Sequence, residues 1–241
     1  MQVKLKVFRF DPKRDKEAYY DTFTVEAKPT DRVLDCLNKI RWEQDGSLAY
    51  RMSCAHGICG SDGMTINGVS ALACQKLVKD YDYTKEILVE PLGFFPVIKD
   101  LVVDMAPFFD REKAVHTANG IVLTPAEEGK EHTQSVEERA KFDDDIKCIM
   151  CACCVGACPV NLKEDQSYIG PAALVRAHRY IFDSRMQDQV ERMRLMDKPH
   201  YVWGCKTYYK CTQVCPKGIK VTQHIIEIKR RILSELRPNK Q

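Results

Sequence analysis

No stretch of this chain approaches the roughly 18 consecutive apolar residues that a membrane-crossing helix needs. Its best local run, Phe94-Phe-Pro-Val-Ile98, is broken by Pro96. The opening Met1–Phe10 alternates polar and apolar residues and has no apolar h-region, so neither a signal peptide nor a transit peptide is expected. No P-loop is present, no G-x-G-x-x-G after a strand, no H-E-x-x-H and no G-x-S-x-G. His116, His132, His178, His200 and His224 are scattered and are expected to be structural. Charge of one sign is not in excess either. The formal net charge is +3, which argues against a wholesale nucleic-acid binder. The balance is local: residues 201–241 hold nine Lys/Arg against two Glu. Such a segment suits solvent, anionic lipid headgroups or an acidic partner subunit.

Cysteine is what the chain has in quantity: twelve in 241 residues. With no secretory signal expected, disulfides are not, and clustered cysteines read as metal ligands. Cys148, Cys151, Cys154, Cys158 and Pro159 fit C-x2-C-x2-C-x3-C-P, the ligand run of a bacterial ferredoxin. A second, incomplete copy runs Cys205-x2-Tyr208-x2-Cys211-x3-Cys215-Pro216. In two-cluster ferredoxins the fourth cysteine of each run serves the other cluster. Applied crosswise, that rule gives Cys148, Cys151, Cys154 and Cys215 a complete thiolate set for [4Fe–4S]. It leaves Cys158, Cys205 and Cys211, with Tyr208 at the fourth corner, for [3Fe–4S]. Pro159 and Pro216 are expected to end their runs, since a helix cannot continue through proline. Cys153 is out of register and reads as a packed thiol. The alternative for the pair of runs is a zinc module. A third site, Cys54-x4-Cys59-x2-Asp62-x11-Cys74, has the plant-type [2Fe–2S] spacing with Asp62 in place of the third cysteine. His56 lies inside the spacer and is expected to face its surroundings rather than iron. Cys36, isolated on an apolar helix face, reads as core.

The fold class expected is α+β. Residues 2–10 and 19–26 alternate as a strand pair, and Thr30 or Asp31 could cap a helix bearing Val33, Leu34, Leu37 and Ile40. Asn67-Gly68 marks a type I′ hairpin, and Ile87–Pro91 closes the sheet. Residues 1–105 therefore read as a β-grasp, plant-type ferredoxin domain. Residues 106–241 read as an all-α ferredoxin-like domain with two cluster sites. In it, 106–146 is a connector with one short helix and a capping box at Ser135-x-x-Glu138. Helices follow near 171–182 and 190–196, and an amphipathic one carries Val221, Ile225, Ile228, Ile232 and Leu236. Three clusters with no substrate or flavin site describe an electron carrier between two partners.

At this point the chain closely resembles the iron–sulfur subunit of succinate dehydrogenase/fumarate reductase. The resemblance rests on S-C-A-H-G-I-C-G-S-D-G-M-T-I-N-G with L-A-C-Q, and on P-V-I-K-D-L-V-V-D. It continues in C-I-M-C-A-C-C-V-G-A-C-P, I-G-P-A-A-L, F-D-S-R and the closing C-x5-C-x3-C-P. It implies the order [2Fe–2S], [4Fe–4S], [3Fe–4S], from the FAD of a flavoprotein subunit to a membrane quinone. It also implies that Asp62 is a ligand, as in some dehydrogenase-type members. Transmembrane anchor subunits, with or without haem b, would be partners, and the cytoplasmic face of a bacterial inner membrane the location. The quinone-site wall would include Pro159, Leu162, Lys163, Lys206 and Tyr208. Several ubiquinone-reducing members have Trp after the C-P and His after the next cysteine. Here Val160 and Lys206 stand there, which leaves ubiquinone and menaquinone both open. Fumarate reduction in the reverse direction and a soluble multi-cluster adaptor are the alternative functions.

Overall fold

Alternation at the N-terminus builds the first sheet. Strand β1 (Gln2–Arg9) turns Val3, Leu5 and Val7 fully inward. It pairs antiparallel with β2 (Tyr19–Glu26), an edge strand that buries only Val25. Helix α1 (Val33–Lys39) follows, with Val33, Leu34, Cys36 and Leu37 buried. Its N-cap is Arg32, not Thr30 or Asp31; the Asp35 carboxylate accepts the Arg32 amide at 2.9 Å and so does the capping. Strands β3 (Gly63–Ile66) and β4 (Val69–Leu72) form the hairpin across Asn67-Gly68, both at positive φ as a type I′ turn requires. Strand β5 (Ile87–Glu90) runs parallel to β1 and antiparallel to β3, giving the sheet order β2-β1-β5-β3-β4. That is the β-grasp arrangement. A small ribbon of β6 (Val97–Lys99) and β7 (Val102–Val103) is added after it. The structure, a computed structural model, describes residues 1–118 and 120–237; Asn119 of the connector and Lys240 of the basic segment lie outside them.

The chain divides into two compact units. One is Met1–Met105 together with Ile149–Ala157; the other takes Ala106–Cys148 and the chain from Cys158. A contiguous second domain from 106 would have kept the whole cysteine run. Close packing instead draws its middle onto the sheet unit. A Cβ on Gly60 would lie 2.9 Å from Cys151 Cβ and 3.0 Å from the Ile149 carbonyl, and one on Gly63 2.9 Å from the Cys151 carbonyl. Only glycine lets these backbones approach so closely.

In the helical unit the connector holds two helices rather than one, α2 (Ala106–Lys113) and α3 (Val136–Ala140). The expected capping box is present: Glu138 N–H donates to Ser135 Oγ at 3.1 Å, and Ser135 N–H to the Glu138 carboxylate at 2.9 Å. Helix α4 (Pro171–Phe182) packs against α5 (Gln189–Met196) and α6 (Val221–Leu236). Ile225, Ile228 and Ile232 give α6 its buried stripe, each contributing about 1.5–3 kcal/mol by burial. Pro159 does not end a helix. It precedes the wide helical turn Val160–Glu164, a start position where its missing N–H costs nothing.

Candidate metal centres

The loop after α1 in the sheet unit brings Cys54, Cys59, Asp62 and Cys74 into one region. Two backbone amides, His56 at 3.4 Å and Cys59 at 3.3 Å, donate to Cys54 Sγ. These donors, His56 first, bring the Cys54 thiol down to about 6, so it is poised as a thiolate. The exposed Cys59 Sγ lies 3.2 Å from Ser61 Oγ. Asp62 is 2% exposed. Its Oδ2 accepts the Cys74 amide at 2.6 Å, while its buried Oδ1 has no hydrogen-bond partner. Burial, and then Asp62 beside it, push the Cys74 thiol up to about 12. A buried orphan oxygen next to a thiol held protonated is a site that lacks positive charge. A ferric corner of a [2Fe–2S] group fits that need. His56 is exposed and its ring turns back on the Cys54 carbonyl.

The two cysteine runs share one backbone. Met150 and Ala152 are left-handed, at φ 56 and 62; Thr207 and Tyr209, at the same places in the second copy, are at 62 and 60. One-turn helices Cys153–Gly156 and Lys210–Gln213 follow. A β-branched residue such as Thr207 resists this conformation, at a cost of order 1–3 kcal/mol. The repeat is thus held against local preference. Cys151 sits between the two left-handed residues of the first copy, and Tyr208 takes that place in the second.

In the helical unit, Cys158, Cys205 and Cys211 line one cleft with Pro159, Tyr168, Lys206 and Tyr208. Burial, with the neighbouring thiols behind it, raises both Cys158 and Cys211. Three thiols on one cleft, two of them held protonated by burial, fit a multi-iron cation. Among the described residues no disulfide forms.

The comparisons point to iron–sulfur domains. A family model described as a 2Fe-2S iron-sulfur cluster binding domain matches residues 4–110, and one described as a 4Fe-4S dicluster domain matches 146–219. The succinate dehydrogenase iron-sulfur subunit of Coxiella burnetii is 39% identical over 232 residues, covering 95% of this chain and 96% of that one. A mitochondrial succinate dehydrogenase [ubiquinone] iron-sulfur subunit of Oryza sativa subsp. japonica is 43% identical over 198 residues, 82% of this chain and 70% of its own. The chain belongs to the succinate dehydrogenase iron–sulfur subunit family. A chain of the Mycobacterium smegmatis Sdh1 complex in the apo form superposes with TM-score 0.88 at 26% identity, covering 99% of this chain and 98% of that one. Its work is electron transfer within a succinate:quinone oxidoreductase, as the enzyme's iron–sulfur subunit.

In this succinate dehydrogenase iron–sulfur subunit the structure places the remaining candidate residues and adds others. Of the five wall residues, Pro159, Lys206 and Tyr208 line the thiol cleft; Leu162 and Lys163 are exposed and not among its lining residues. The Tyr208 hydroxyl donates to Glu164 at 2.6 Å. Arg32, unremarkable in sequence, donates to the Ala55 carbonyl at 2.6 Å and so anchors the loop that carries Cys54 and Cys59. Lys229 similarly holds the Cys205 carbonyl at 2.9 Å. Cys153 is fully buried, and its thiol donates to Cys151, lowering the Cys151 thiol while rising itself.

Asp145, His178 and His224 form a buried cluster with ligand atoms within 4.8 Å of one another. Both ring nitrogens of His178 already face carboxylates, Asp145 at 2.5 Å and Glu227 at 3.0 Å. The ring is stacked between Phe182, centroids 4.1 Å apart, and His224, 4.5 Å apart. Two carboxylate partners require two N–H donors, so His178 is an imidazolium clamped in an aromatic sandwich, with no lone pair for a metal.

Proposed function

We propose that Cys54, Cys59, Asp62 and Cys74 hold the [2Fe–2S] group of this subunit. Cys148, Cys151, Cys154 and Cys215 then hold [4Fe–4S], and Cys158, Cys205 and Cys211 hold [3Fe–4S]. When bound, these groups supply one-electron carriers between a flavin and a quinone. The observation that carries the three-iron assignment is the shared backbone: Tyr208 occupies the place of Cys151 and offers no thiolate. Its phenol is also engaged. It donates to Glu164, and that acceptor, more than burial, raises its pKa. The backbone amides around Cys54 hold a thiolate, and Arg32 keeps their loop in shape.

The partners in this reading are an FAD-bearing flavoprotein subunit and transmembrane anchor subunits, the latter carrying haem b in some cases. Among the described residues no helix is long and apolar enough to cross a membrane. The face bearing Lys206, Tyr208 and Lys210 is exposed beside the cleft. It suits the cytoplasmic surface of a bacterial inner membrane, where lysines meet anionic lipid headgroups. Lys206 is placed as a point-charge donor to a quinone carbonyl. Purification from detergent-solubilised membranes tests this: a flavoprotein and a membrane subunit should accompany the chain. A monomeric chain with the full cluster complement, recovered from the soluble fraction alone, would favour the adaptor.

A further inference from the structure

Two threonines tie α6 to the turn that carries Cys211. The Thr222 amide donates to Thr212 Oγ1 at 2.9 Å. The Thr212 hydroxyl donates to Thr222 Oγ1 at 3.0 Å. Thr222 Oγ1 lies 3.3 Å from Cys211 Sγ. Thr222 is 1% exposed and Cys211 9%, so water does not compete.

The Thr212 oxygen accepts from the Thr222 amide, and its own hydrogen goes to Thr222 Oγ1. A sulfur that holds iron is a thiolate with no hydrogen to give, so the Thr222 hydroxyl is the donor in the third contact. Thr222 sits in the first turn of α6, where the amides have no partner within the helix. The relay therefore starts from a helix N-terminal amide and ends on a thiolate.

We propose that Thr222, aligned by Thr212, is a positioning residue that donates its O–H to the Cys211 thiolate and raises the reduction potential of the group Cys211 holds. A hydrogen bond to a ligand sulfur withdraws negative charge, and the reduced state gains more from this than the oxidised one. The inference rests on the assignment of Cys158, Cys205 and Cys211 to the three-iron site.

The test is a redox titration of the oxidised three-iron EPR signal in the purified complex. Thr222→Val removes the hydroxyl at nearly constant shape and should lower the midpoint, by about tenfold in the reduction equilibrium, or ~59 mV for one electron. Thr222→Ser should restore the wild-type value. Thr212→Val should weaken folding stability and shift the midpoint less. If Thr222→Val fails to assemble, Thr222→Ala stands in and should show the same lowering. A wild-type midpoint in the hydroxyl-free variant, or a serine variant shifted as far as valine, would leave Thr222 a packing residue only and overturn the proposal. A wild-type complex with no three-iron signal would overturn the ligand assignment as well.

Discussion

Asp62 and Tyr208 each stand where a cysteine would be, and they act in opposite ways. Asp62 is buried with one oxygen unpartnered, so it can ligate. Tyr208 is half exposed, and its oxygen is spent on Glu164. Asp62→Ala should therefore abolish or strongly reduce the [2Fe–2S] signal of the reduced protein, while Asp62→Cys should keep it; EPR of the reduced complex checks both. Tyr208→Cys should convert the three-iron site towards [4Fe–4S], and the oxidised three-iron signal should disappear. The cysteine spacings and both substitutions were legible in the sequence, because a cluster loop needs its ligands close together. Arg32, Thr222 and Lys229 were not: each comes from a distant element, and no local pattern marks a side chain that will reach a loop carbonyl or sulfur after folding.

Among the elements, strands with strict alternation were legible, and so were the hairpin turn and the Ser135 cap. Helix α2 was not, because Pro107 and its charged residues mask a short helix. Buried charge, also hidden from periodicity, ties these elements together. Arg9 meets Asp45 at 2.5 Å and Asp100 at 3.2 Å, with 6% of its side chain exposed and 2% of that of Asp100. Arg9→Ala leaves these carboxylates uncompensated and should cost about 3–5 kcal/mol in chemical denaturation. The His178 clamp joins α4, α6 and the turn before Cys148. Its carboxylate bonds outweigh burial and raise His178 above its ordinary 6.5, while the His178 bond chiefly brings Glu227 down to about 2. A raised histidine stabilises fully below its unfolded pKa, and that stability is lost as pH rises through the folded value. The Glu227 part is present above its unfolded pKa and is lost as pH falls towards 2. Unfolding free energy should thus decline as pH rises above 6.5, and His178→Gln should flatten that decline; denaturant melts across pH measure it.

At the scale of the whole molecule, the basic C-terminal segment proves divided in purpose. Lys229, Arg231 and Arg237 spend their charge inside the helical unit, on the carbonyls of Cys205 and Ile181 and on Asp197. Lys206 and Lys210 remain exposed beside the thiol cleft. A net count along the chain cannot separate these two groups, since the difference lies in tertiary contacts. Nor could a linear reading foresee that Ile149–Ala157 packs with the sheet unit. Three unlike clusters on this chain, with the Tyr208 corner left without iron, have a distinct signature in EPR of the purified complex. A [3Fe–4S] signal is expected when it is oxidised and a [2Fe–2S] signal when it is reduced. An oxidised complex with no three-iron signal, together with two [4Fe–4S] signals on reduction, would contradict that assignment.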